Sequence, residues 1–164
     1  MRTVVDTDSK LSVSGGKLLL LSNTTPTWGD PAIAWGTVIS RAAGRTLGID
    51  ITADADAAVW LGFNTDTSLG APGTAETEHV LLFNSDGNID VVSGATVYAD
   101  VGVFVDGTTY RLALIMAAVG ADYCLSGGVY GTLGVDYTSI ATTTSGVANL
   151  YAAMSNYNAV VTVD

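Results

Sequence analysis

Trp28 lies in Thr27-Trp28-Gly29-Asp30-Pro31, a segment dense in turn formers. An indole on such a loop can stack on the apolar face of a sugar ring, and a nearby carboxylate can bond the sugar hydroxyls. Trp28 and Asp30 are therefore the candidate ligand-binding residues, with anchoring of the loop as the alternative role of the indole. Trp35 and Trp60 fall in strand-like stretches and are expected in the core. Tyr123, Tyr130, Tyr137, Tyr151 and Tyr157 could extend an aromatic surface, although packing inside a β-fold accounts for them as well.

Paired carboxylates offer a second chemistry, since glycoside hydrolysis needs two at a fixed separation. Glu76-Thr77-Glu78 holds the only two glutamates of the chain, in or beside a polar loop, and Asp54-Ala55-Asp56 reads as a solvated turn. Asn84-Ser85-Asp86-Gly87-Asn88-Ile89-Asp90 sets oxygen-bearing side chains at alternate positions, as a calcium loop does. No Glu closes that cage, and turn preference alone explains Asp86-Gly87-Asn88. The single Cys124, in Ala121-Asp-Tyr-Cys-Leu-Ser126, is expected to be a buried small hydrophobe, and it has no partner cysteine in the chain. The single His79 is expected at the start of a strand. One Cys and one His cannot make a zinc site, and no Gly-x-Ser-x-Gly elbow accompanies the His. No catalytic residue, metal site or cofactor is assigned, and the chain is expected not to be an enzyme.

The elements that must carry these residues are strands. Leu11–Ser14 and Lys17–Ser22 flank Gly15-Gly16, a hairpin signature, and Val80–Asn84 and Ile89–Ser93 flank a second turn at Ser85–Asn88. Thr46–Thr52 alternates Leu47, Ile49 and Ile51 against Gly48, Asp50 and Thr52, the pattern of a half-buried strand. Ala34–Ser40, Ala57–Phe63, Ala121–Leu125, Gly131–Val135, Val147–Met154 and Ala159–Val163 are further strands. Residues 65–78 are expected as a surface loop. The apolar run Thr108–Ala117 is read as a central strand, with a helix over 110–119 as the alternative. Ten to thirteen short strands at this spacing predict one all-β domain over residues 1–164, a two-sheet antiparallel sandwich.

Lys and Arg number 6 against 16 Asp and Glu, a net charge of −10 that argues against nucleic acid and anionic membranes as partners. No apolar run approaches the ~20 residues of a spanning helix. The first eight residues are polar and acidic where a secretory signal is apolar, so synthesis in a cytoplasm is expected, with an extracellular location as the alternative if the sequence is a fragment of a secreted protein. Only 13% of residues are charged, against roughly 25% in an ordinary soluble domain, and mean hydropathy is +0.39. Part of the surface is therefore expected to be buried against a neighbour, in a homo-oligomer or on a particle.

The opening Asp6–Leu20 and the closing Asn149–Asp164 resemble the first hairpin and last strands of concanavalin A-like, or laminin G-like, jelly-roll domains. In those domains the first and last strands commonly pair. The loop Thr27–Pro31, with Trp35 and Arg41-Ala-Ala-Gly-Arg45, is similar to a subgroup found in phage and metagenomic structural proteins. Glucanases of the same sandwich carry a Glu-x-Asp-x-Glu-type strand, and Glu76-Thr77-Glu78 lacks the matching Asp. The resemblance implies a jelly-roll sandwich, and with the low charge it implies a virion decoration protein bound to a capsid or other particle protein. The alternative it implies is a lectin or carbohydrate-binding module.

Overall fold

The computed structural model describes residues 2–21, 27–53, 58–67, 69–72, 77–127, 138–143, 146–158 and 160–164. Within them the chain forms fifteen strands and no helix. They are β1 (Arg2–Val5), β2 (Leu11–Ser14), β3 (Lys17–Leu20), β4 (Ala32–Trp35), β5 (Ile39–Ser40), β6 (Thr46–Ala53), β7 (Val59–Asn64) and β8 (Thr77–Phe83). There follow β9 (Asn88–Ser93), β10 (Thr96–Val103), β11 (Thr109–Met116), β12 (Ala121–Gly127), β13 (Thr138–Thr143), β14 (Asn149–Asn156) and β15 (Val161–Val163). One sheet runs β1-β4-β14-β7-β8-β9-β10, with β5 also on β14, and the other runs β13-β12-β11-β6-β15-β3-β2. Neighbouring strands pair antiparallel throughout.

Alternation decides what lies between the sheets. Leu61 and Phe63 of β7, Leu81 and Phe83 of β8, and Leu112 and Leu114 of β11 meet in the central core. Leu47, Ile49 and Ile51 of β6 point the same way, as their spacing predicts. Asp50, on the opposite face of β6, is nevertheless buried, because Arg111 covers it with two hydrogen bonds of 2.5 and 2.9 Å. The apolar run is a strand and not a helix: β11 covers Thr109–Met116, paired with β6 and β12.

The outward face of the eight-stranded sheet is apolar too. Trp60, Val80, Leu82, Val92 and Ala153 form a second cluster there, and Leu69 and Trp28 pack on it. Trp60 donates its indole N–H to the Gly70 carbonyl at 3.0 Å. This covering explains why every residue of β7 and β8 is buried. It also corrects the expected surface loop over 65–78: Leu69 is buried in that cluster, and Thr77 and Glu78 belong to β8. Gly131–Val135 and Asp54-Ala55-Asp56 lie outside the described residues, as do Glu76, Tyr130 and Tyr137. So does the side chain of Cys124, whose backbone is in β12.

Candidate functional site

The segment Thr27–Pro31 folds as a tight turn into β4, closed by a bridge between Thr27 and Asp30. Gly29 is required there. Its φ is +91°, and a Cβ would stand 2.8 Å from the Leu69 carbonyl oxygen. Its N–H donates to Ser155 Oγ at 2.8 Å, which ties the turn to β14. The Asp30–Pro31 peptide bond is cis. Trp28 is half-buried, with its ring centroid 5.4 Å from that of Tyr157 at an interplanar angle of 38°. Asp30 is half-buried as well, and its Oδ1 accepts the Thr7 N–H at 2.9 Å. Trp28 and Asp30 thus share one corner of the sandwich, and the structure adds Tyr157, delivered by the far end of β14. An aromatic pair beside a carboxylate can present a ring face and a hydrogen-bond acceptor to a polar ligand.

The other two tryptophans divide. Trp60 is fully buried, as expected for a core residue, whereas Trp35 is 41% exposed. Trp35 is the last residue of β4 and pairs with Arg2, the first of β1. It stands where the two sheets separate, so the strand pattern reads correctly while the burial does not follow from it. Tyr123 is fully buried, and Tyr151 and Tyr157 are half-buried.

The 84–90 segment spends its oxygens on its own turn. Asn84 N–H donates to the Asn88 carbonyl at 2.9 Å, and Asp86 Oδ1 accepts the Asn88 N–H at 3.0 Å. Asp90 is buried, taking the Asp100 N–H at 2.8 Å and the Asn84 side-chain amide at 3.3 Å. Among the described residues, no three His, Cys, Asp or Glu side chains are grouped to hold a metal ion.

The most concentrated polar chemistry involves residues the sequence reading set aside. Between β7 and β8 the register shifts, with Phe63 opposite His79 and Asn64 opposite Thr77. Glu78 is the extra residue of that bulge, and both it and His79 reach Arg41. Arg41 Nη2 donates to His79 Nε2 at 2.6 Å and lies 3.4 Å from Glu78 Oε1. Its Nε and Nη1 donate to the carbonyls of Val147 and Gly120 at 2.7 and 2.6 Å, and the Val147 N–H donates to Glu78 Oε1 at 3.0 Å.

A guanidinium only donates, so His79 Nε2 must accept and the imidazole must be neutral with its proton on Nδ1. That proton points at Tyr123 Oη, 3.2 Å away, and Tyr123 donates onward to the Val92 carbonyl at 3.4 Å. Burial pushes the imidazole down to about 4; Glu78 opposes this and Arg41 adds to it. The expected position of His79 at the start of a strand holds, while Glu78 sits in the strand because the bulge turns it inward. His79 is fully buried and Arg41 and Glu78 are nearly so, an arrangement that braces the two sheets and offers no proton to a bound molecule. A single His among Glu and Thr carried no periodic signal of this, because the bulge and the reach of Arg41 are set by distant strands.

No family model matches the sequence, and no curated protein matches it. Solved structures do match. The SPRY domain of human HERC1 aligns with TM-score 0.56 at 12% identity, over 94% of this chain and 90% of that one. Peanut lectin with a nine-residue peptide aligns with TM-score 0.57 at 11% identity, over 99% and 93%. A Lotus tetragonolobus seed lectin aligns with TM-score 0.59 at 8% identity, over 99% and 89%. At such identities the likeness is one of fold, and the fold is the all-β concanavalin A-like sandwich of two antiparallel sheets.

Proposed function

We propose that this chain is a non-enzymatic module that acts by surface contact, as a structural component of a larger particle of the virion-decoration kind. The observation that carries this reading is the outer edge of the eight-stranded sheet, along which no further strand is paired among the described residues. β10 ends that sheet, and along it Val97 is 51%, Tyr98 42% and Val103 68% exposed. Soluble proteins blunt such edges with Lys, Pro, short strands or bulges. β10 has eight residues and neither Lys nor Pro; a bulge between Tyr98 and Gly102 interrupts its middle and leaves Val97 and Val103 exposed on either side of it. With 13% charged residues, contact along this edge with a capsid or other particle protein, or with further copies of the chain, removes apolar surface from water. The chain would then be made in a cytoplasm and reside on the virion. Light scattering of the purified chain is expected to give a defined multimer, and Val97→Lys with Val103→Lys is expected to reduce it to single chains. A wild-type monomer that also fails to co-sediment with particles would refute the reading.

The fold shared with lectins and the Trp28–Tyr157 pair beside Asp30 favour a second reading, glycan recognition. On a glycan array, Trp28→Ala is expected to weaken any bound sugar roughly 30-fold, the effect of removing a central aromatic contact. A blank array for the wild-type chain removes this reading and leaves the first untouched.

A further inference from the structure

At the opposite end of β4 from Trp28 the two sheets part and leave a cleft of about 610 Å³. Ile33 and Trp35 of β4 with Ala152 and Met154 of β14 form one wall, and Leu18, Leu47, Ile49 and Val163 of the other sheet form the facing wall. Among the described residues of the lining, Thr37 and Asp164 supply a hydroxyl and a carboxylate, beside the indole of Trp35. Leu18, Leu47, Ile49 and Val163 belong to the inward-facing set and pack on the core, yet stay only partly buried where they line the cleft. Protein interiors are normally filled to crystal-like density, with few voids larger than a water molecule. Small-molecule sites are concave, mostly apolar, and about 300–1,000 Å³ in volume, with one or two polar groups at fixed places. The walls here are paired strands, so the shape is held without a ligand.

We infer that this cleft is a binding site for one small, neutral, largely apolar molecule, an aromatic or branched aliphatic skeleton with a single hydrogen-bonding end. The apolar body lies between Trp35, Leu47, Ile49 and Met154, and the polar end meets Thr37 or Asp164. Charge selects against an anion. Asp164 stands at the lining, Lys17 is already paired with it at 3.2 Å, and the chain carries a net charge of −10. Ala152 is the side chain that leaves the room: it points inward from the middle of β14 and is the smallest inward residue of that strand in the wall.

The test is titration of the intact chain with the neutral probe N-phenyl-1-naphthylamine. The expected result is saturable binding of one probe per chain, with Kd on the order of 10 μM, and quenching of tryptophan emission by energy transfer. Ala152→Phe, which fills the cleft, is expected to weaken binding roughly tenfold or more with its unfolding midpoint kept. Trp35→Phe is expected to bind the probe with most of the quenching gone. If Ala152→Phe does not fold, Leu18→Trp at the cleft takes its place with the same expectation. Absence of saturable binding, or binding indifferent to both filling variants, overturns the inference. So does probe binding that disappears as copies of the chain associate, which would make the cleft a protein interface.

Discussion

Gly62→Ala is expected to abolish most of the soluble folded protein. Gly62 sits in the middle of β7 with φ at +154°, a backbone conformation that side chains rarely adopt. A Cβ there would run into the His79 carbonyl oxygen and stand 2.9 Å from Val80 Cα. Both obstacles are backbone of β8, which is paired with β7 on one side and β9 on the other, so neither can withdraw. Backbone strain and overpacking together are expected to cost ~3–5 kcal/mol, a large share of the ~5–15 kcal/mol by which domains are stable. Gly48→Ala is the matched control, because a Cβ on Gly48 meets nothing within 4 Å. It is expected to stay within about 1 kcal/mol of wild type. Soluble yield and urea midpoints of the two variants decide the matter, and a wild-type midpoint for Gly62→Ala would show that β7 and β8 separate freely there.

The second large effect is pH-dependent stability through His79. Its folded-state pKa is lowered to about 4 from the usual 6.5, chiefly by burial. The unfolded chain therefore binds a proton at higher pH than the folded chain does. The contribution is complete above about 6.5 and is lost as pH falls from there towards 4. Over the whole window it amounts to about 3 kcal/mol, and about 2 kcal/mol is already gone by about pH 5. Protonation also sets a cation on Nε2 against the Arg41 guanidinium that now donates to it. Carboxylates titrate in the same region, so the quantity to read is a difference between two chains. His79→Gln keeps an acceptor for Arg41 and a donor for Tyr123 but has no titrating group. Urea unfolding at about pH 7.5 and about pH 5 is expected to show a loss in wild type larger by about 2 kcal/mol than in His79→Gln. Equal losses would place the proton elsewhere.

What could be read from the sequence was what neighbouring residues decide among themselves. The Gly15-Gly16 turn, the Asp86-Gly87-Asn88 turn and the Leu47, Ile49, Ile51 alternation act within a few positions, and the strands around them lie where those signals put them. The sandwich followed from the number and spacing of such signals. Partners set by other strands were illegible. Glu78 is polar and follows a loop, and only a bulge formed against β7 turns it inward. Trp35 has the pattern of a core residue and is left 41% exposed because it stands at the cleft where the two sheets part. Thr96–Val103 was missed as a strand because Ala99-Asp100 interrupts its alternation, where the backbone reaches φ +56° at Asp100. Trp28 and Asp30 could be named as neighbours in sequence, but Tyr157 joins them only through the course of β14.

The place of β15 has a consequence for how the molecule is assembled in time. This three-residue strand lies between β6 and β3, so among the described residues the β2–β3 hairpin is paired into its sheet through Val161–Val163. The hairpin can close on its own through Gly15-Gly16, but among the described strands it has no pairing partner in its sheet until residues from the far end of the sequence arrive. Loop-closure entropy must be met before that contact gives any return. The hairpin, the most local element of this sheet, is therefore expected to complete its pairing late, when the distant strand seats beside it.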